Sequence, residues 1–145
     1  MRSVFVLLLL LMQHGNPVQM AAATDFACVP DLALEPFDEF FDRFRASKHF
    51  QMKRTIFPLE EIDIRLETET STATKIEKKA WKPLKFDQDG VLVPLGGESV
   101  TQEIKIESTF VRMEIRGTDS GIYDDYEFER RVGKWYLVLR RSYSN

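Results

Sequence analysis

Cysteine is almost missing from this chain: Cys28 stands alone among 145 residues. A single thiol excludes an internal disulfide framework, and it removes the paired-cysteine spacing that structural zinc sites need. Histidine is nearly as scarce, with only His14 and His49. No glycine-rich phosphate loop, nucleophile elbow or Cys–His pairing is present, so the usual devices for phosphoryl and acyl transfer are lacking. There is no excess of basic charge either. Twenty Lys and Arg stand against 23 Asp and Glu, for a net charge of −3. Such a surface lacks the overall basic character of a nucleic-acid binder and offers no general attraction to an anionic membrane. No metal and no cofactor is expected.

The composition that remains, 43% hydrophobic and 30% charged, is that of a globular domain. Its first residues read differently. Arg2 precedes an apolar run from Val4 to Met12, followed by Gly15, Asn16 and Pro17 and then by Ala21, Ala22 and Ala23. This is the pattern of a secretory signal peptide over residues 1–23, cut after Ala23. The run is too short to span a bilayer, which takes roughly 20 residues, and no later run is longer, so the mature chain has no transmembrane segment. Arg2 is the only charge lost, which leaves residues 24–145 at −4. Lipid anchoring at Cys28 is disfavoured, because Asp25-Phe26-Ala27 is a poor lead-in for lipoprotein processing. The expectation is export to the periplasm or the medium.

Residues 24–35 form an irregular lead-in with Pro30, and a single α+β domain covers residues 36–145. The helix comes first. Phe37, Phe40, Phe41 and Phe44 fall at i, i+3, i+4 and i+7, one apolar stripe at the helical period. Pro36 suits the first helical position, and acids at Asp38, Glu39 and Asp42 with bases at Arg43, Arg45 and Lys48 match the helix dipole. Pro36 to Ser47 is therefore the main helix, and four phenylalanines on one face call for a sheet to cover them.

Strands follow. Phe50 to Phe57 is expected to be extended, with Pro58 ending that strand's hydrogen bonding. Ile62 to Glu67 alternates with period 2, and Lys75 to Trp81 alternates again. Asp87 to Gly97 reads as a loop with at most one short strand. Ile104 and Ile106 differ in parity from Val111, Met113 and Ile115, which requires a bulge or tight turn near Ser108-Thr109. The chain closes on a hairpin whose turn is read as a type II′ at Gly133-Lys134. That register sets Phe128 opposite Leu139, Tyr126 opposite Arg141 and Glu127 opposite Arg140.

Among chemically interesting groups, Asp87-Gln88-Asp89-Gly90 with Glu98 resembles a calcium loop. Val91 and Leu92 occupy places where an oxygen ligand and the required glycine belong, so a β-turn is the better reading. His49 could serve as a base but more simply complements a helix C-terminus. Asp124, Asp125, Glu127 and Glu129 read as a solvated face, with Asp124 and Asp125 near a loop. Gln51, Arg54, Trp81, Tyr126 and Trp135 are the candidate ligand-binding residues, each able to point into a cavity between helix and sheet. The competing reading makes the aromatics plain core and pairs Arg54 with a surface carboxylate.

The pattern F-x-x-F-F-x-x-F (Phe37 to Phe44), F-Q (Phe50, Gln51), R-x-x-F-P-L (Arg54 to Leu59), Trp81 and the closing Y-x-F with G-K-W-Y-L (Tyr126, Phe128, Gly133 to Leu137) resembles a family of small exported bacterial proteins of unknown function. The element order is also similar to the nuclear transport factor 2-like, or cystatin-like, cone. That resemblance implies an α+β fold in which a strongly curved antiparallel sheet wraps one main N-terminal helix and leaves a pocket. Enzymes of this class place an Asp, His or Tyr deep in the pocket, and no residue here maps onto that role. The leading expectation is a non-catalytic binding module for a small apolar ligand or an envelope protein. A cofactor-free enzyme doing acid–base chemistry, or a domain that dimerises through a sheet face, are the alternatives.

Overall fold

The structure is a computed structural model that describes residues 34–144. The signal-peptide reading, Cys28 and the lead-in up to Ala33 lie outside the described residues. Helix α1 (Phe37–Ala46) buries Phe37, Phe40, Phe41 and Phe44, as the stripe requires, with Pro36 at the N-cap. The four rings gather around one sheet residue. Phe128 lies 5.4–6.3 Å from each of them, centroid to centroid, and edge-on to all four. Edge-to-face contact is the geometry that aromatic quadrupoles favour, so the stripe is matched to its partner in shape and in electrostatics.

The chain does not become extended at Phe50. A second short helix, α2 (Lys48–Lys53), intervenes, and strand β1 (Thr55–Arg65) starts only after it. The reason is Ser47, whose hydroxyl accepts the Phe50 N–H at 3.2 Å and caps a fresh helical turn. Pro58 does not end β1 either. Pairing with β6 (Lys134–Ser144) is interrupted between Thr55 and Glu60 and then resumes, and β2 (Thr70–Ile76) joins from Leu59 onward. A proline without an N–H is tolerated where the ladder is already broken. Strand β2 stops at Ile76 and does not run to Trp81. Glu77 to Ala80 turns back, the Ala80 and Trp81 N–H groups both donating to the Glu77 carbonyl.

With β3 (Val100–Ile106), β4 (Phe110–Gly117) and β5 (Tyr123–Arg131) the strands form one open six-stranded sheet in the order β2-β1-β6-β5-β4-β3. The sheet is mixed, not wholly antiparallel: β1 and β6 are parallel. Every antiparallel neighbour pair is consecutive in sequence, whereas β1 and β6 are the first and last strands. No hairpin sets their relative direction. The expected tight turn between β3 and β4 is present, with the Glu107 N–H on the Phe110 carbonyl and Ile106 opposite Val111. Leu59, Val111, Met113, Ile115, Phe128, Trp135 and Leu137 are fully buried and form the core with the α1 phenylalanines. Among the described residues no helix is long and apolar enough to cross a membrane.

The terminal hairpin has a different register from the one expected. Its turn is Val132-Gly133, both with positive φ (48° and 75°), so it is a type I′ turn one residue earlier than Gly133-Lys134. Phe128 faces Leu137, not Leu139. A bulge at Val138 follows, after which Glu127 faces Leu139 and Tyr126 faces Arg140. One extra residue reverses the side on which every later residue of β6 lies. Arg140 consequently shares the inner, helix-facing side with Tyr126, and Arg141 goes to the outer side.

Candidate functional site

Helix α1 covers only part of the inner sheet face. Beyond its reach lies a partly enclosed cavity of about 1140 Å³. Its apolar wall comes from the β2–β3 connection, with Trp81, Leu84 and Leu92, and from Ile115 on β4. The sheet wall is polar. On it Arg140 donates to Glu61 on β1 at 2.7 Å and to Asp124 on β5 at 3.1 Å. Tyr126 is 3% exposed at the same place. Burial pushes its phenol up to about 12, against the pull of the neighbouring Arg140 guanidinium, so it is a neutral O–H at any physiological pH. Ser142 completes this wall.

Three like-charge doublets build the arrangement. Glu60-Glu61, Asp124-Asp125 and Arg140-Arg141 each sit within a strand, and alternation sends one member of each to either face. The inward members are Glu61, Asp124 and Arg140. On the outer face Arg141 pairs with Asp125 at 2.9 Å and with Glu127 at 3.1 Å, and the Tyr143 hydroxyl donates to Asp125 at 2.9 Å. The acidic cluster is thus not a solvated face. Asp125 is 1% exposed, Asp124 lies in the cavity, and neither belongs to a loop. The expected Glu127–Arg140 pair does not form, because the bulge hands Glu127 to Arg141.

Of the five candidate binding residues, Trp81 and Tyr126 line the cavity. The other three do not. Gln51 is 1% exposed and spends its amide on one backbone segment: its Nε2 donates to the Leu84 carbonyl at 3.0 Å and its Oε1 accepts the Leu84 N–H at 2.8 Å. It fastens the loop that carries Trp81 and Leu84 and so positions one cavity wall. Arg54 and Trp135 belong to a separate fastening around Glu35. Both guanidinium nitrogens of Arg54 donate to the Glu35 carboxylate at 2.9 Å, and the Trp135 indole N–H donates to the Glu35 carbonyl at 2.9 Å. The Trp135 backbone N–H adds a bond to the same carboxylate at 3.1 Å. Arg54 therefore pairs with a carboxylate, but a half-buried one beside the core and not one at the surface. His49 is exposed and lies with Arg43 and Lys53 at a different, shallow surface groove.

Glu61, Asp124, Arg140 and Ser142 escape a reading by period alone. The doublets are the signal that marks them, since two adjacent like charges in a strand cannot both face solvent across a half-buried sheet. Glu35 carries no such signal. The calcium-like stretch is a turn, in which the Asp87 carboxylate accepts the Asp89 and Val91 N–H groups at 2.9 Å. Among the described residues no cluster of His, Cys, Asp and Glu has metal-holding geometry.

Similarity to solved structures shows the fold. A cystatin-like protein from Bacteroides caccae superposes with a TM-score of 0.53 at 26% identity, over 75% of this chain and 76% of its own. An NTF2-like protein from Bacteroides fragilis gives a TM-score of 0.53 at 18% identity over 75% of this chain. This chain spans about half of that second protein, 47% of its length. The fold is nuclear transport factor 2-like. No protein-family model matches the sequence, and no curated protein matches it.

Proposed function

We propose that this protein is an exported, non-catalytic binding module whose inner cavity takes a small, largely apolar ligand. The observation that carries the reading is the cavity itself. Its volume of about 1140 Å³ lies just above the usual range of small-molecule sites, about 300–1,000 Å³. One wall is aromatic and aliphatic, and the opposite wall holds a few convergent polar groups. Apolar walls supply affinity at about 25 cal/mol per Å² buried, while Tyr126, Ser142 and the Glu61–Arg140–Asp124 cluster would fix orientation. Export rests on the leader pattern over residues 1–23. The test is native mass spectrometry of the chain purified after secretion, paired with thermal shift against a panel of apolar compounds. Retention of a small molecule that raises the melting temperature, and its loss in Ile115→Trp, supports the reading provided the variant still melts cooperatively. Should Ile115→Trp not fold, Leu92→Trp fills the same space from the loop. Absence of any stabilising compound in the panel and of any retained mass overturns it.

A further inference from the structure

The end of β2 and its connection to β3 carry a feature that the overall acidic charge conceals. Lys75, Lys78, Lys79, Lys82 and Lys85 fall within Lys75-Ile76-Glu77-Lys78-Lys79-Ala80-Trp81-Lys82-Pro83-Leu84-Lys85, and Glu77 is the only acid there. All five are exposed, and among the described residues none of them makes an ion pair. Arginines and Lys105 do the pairing among the described residues. Lys82 and Lys85 border the cavity, and Lys48 of α2 joins them. Three unpaired ammonium groups therefore ring the same space that Trp81, Leu84 and Leu92 line. At that rim Leu95 is 94% exposed and Val93 is 39% exposed, so apolar and cationic groups are interleaved.

The polar wall has the opposite sign. Two carboxylates, Glu61 and Asp124, surround the single guanidinium of Arg140, so its positive charge is already answered and that wall repels a further anion. The rim thus favours an anionic group, and the Trp81 side offers an apolar path inward. From this division we infer that the cavity binds an anionic amphiphile, a compound with an alkyl or acyl chain and one carboxylate or phosphate head. The inference rests on the binding reading above and names the ligand class for the same cavity.

The experiment compares three probes of equal chain length on the full chain, below their micellar concentrations: dodecanoate, dodecyltrimethylammonium and dodecanol. Isothermal titration is expected to show dodecanoate binding at least about tenfold tighter than the cation, with a preference that shrinks as salt is added. Shortening to decanoate should weaken binding about fourfold per methylene removed, from about 0.8 kcal/mol per buried CH₂. Lys82→Gln with Lys85→Gln should lower dodecanoate affinity about five- to tenfold and leave dodecanol unchanged, while Lys134→Gln on the terminal hairpin leaves both unchanged. Equal or tighter binding of the cation or of dodecanol overturns the lysine-rim inference and leaves the cavity reading intact. Failure of all three probes counts against both. Co-sedimentation with anionic phospholipid vesicles separates a free amphiphile from a bilayer-borne one: adhesion to vesicles without binding of free dodecanoate overturns the proposal in favour of a surface contact.

Discussion

Two arginines, one at the end of α2 and one on the inner side of the sheet, end in opposite situations. Arg54 sits where α1 presses on the sheet. It is held by Glu35 on both nitrogens and by the Trp135 carbonyl, and both members of the ion pair are nearly out of water, at 12% and 14% side-chain exposure. Arg140 sits beyond the helix, with Glu61 and Asp124, on the wall of a cavity large enough for a ligand. The first arginine closes a structure and the second stands on the wall of an open cavity. What separates them is the reach of α1. Its ten residues cover about 15 Å at 1.5 Å per residue, which seals Phe128, Trp135 and Leu137 and leaves the other end of the face open.

The largest expected effect lies at the closed end. Phe128→Ala removes the ring that all four α1 phenylalanines contact and should cost about 3–5 kcal/mol in urea unfolding. Ile115→Ala, beside the cavity, should cost nearer 2 kcal/mol. Equal costs would erase the distinction between a packed and an open end. Next comes Glu35→Ala, expected to destabilise by about 3 kcal/mol because Arg54 is left buried without its partner, whereas Glu35→Leu with Arg54→Met should cost less than either single change. Arg140→Met sharpens the contrast. Its two carboxylates border a cavity that water can enter, so the loss in stability should stay under about 2 kcal/mol, while ligand affinity falls.

Two smaller effects lie away from both arginines. Val132 is a β-branched residue held at φ 48° in the type I′ turn, a conformation that asparagine adopts more readily. Val132→Asn should therefore raise stability by about 0.5–1 kcal/mol in thermal melts. On the outer face the hydrogen bond from Lys105, with Arg116 adding to it, holds the Glu114 carboxyl below its ordinary value. Glu114 thus stabilises the fold above its unfolded-state pKa, and this is lost as pH falls through the lower folded value. Glu114→Gln should cost under about 1 kcal/mol near neutral pH, and that cost should disappear in acid melts.

Much of this architecture could be read from residue order. The Phe37 to Phe44 stripe specifies a helix and the face it buries, because ring spacing at the helical period has no other economical use. The turn at Asp87 follows from Val91 and Leu92 standing where a calcium loop needs an oxygen ligand and a glycine. The doublets at Glu60, Asp124 and Arg140 contain the inner polar wall in latent form, since strand alternation must divide each pair.

Which member of each doublet faces inward was settled only by the tertiary structure. In β6 the decision rests on the bulge at Val138. Without it Arg141 would enter the cavity and Arg140 would leave, and nothing in Leu137-Val138-Leu139 marks the extra residue, because all three are apolar and any of them can face either side. Ser47 restarting a helix, the parallel meeting of β1 with β6, and Glu35 reaching Trp135 across a separation of 100 residues are of the same kind. Local pattern fixes how a segment folds and which face it buries. Partners brought together from distant parts of the chain fix register, and here the register of one strand decides which arginine the cavity receives.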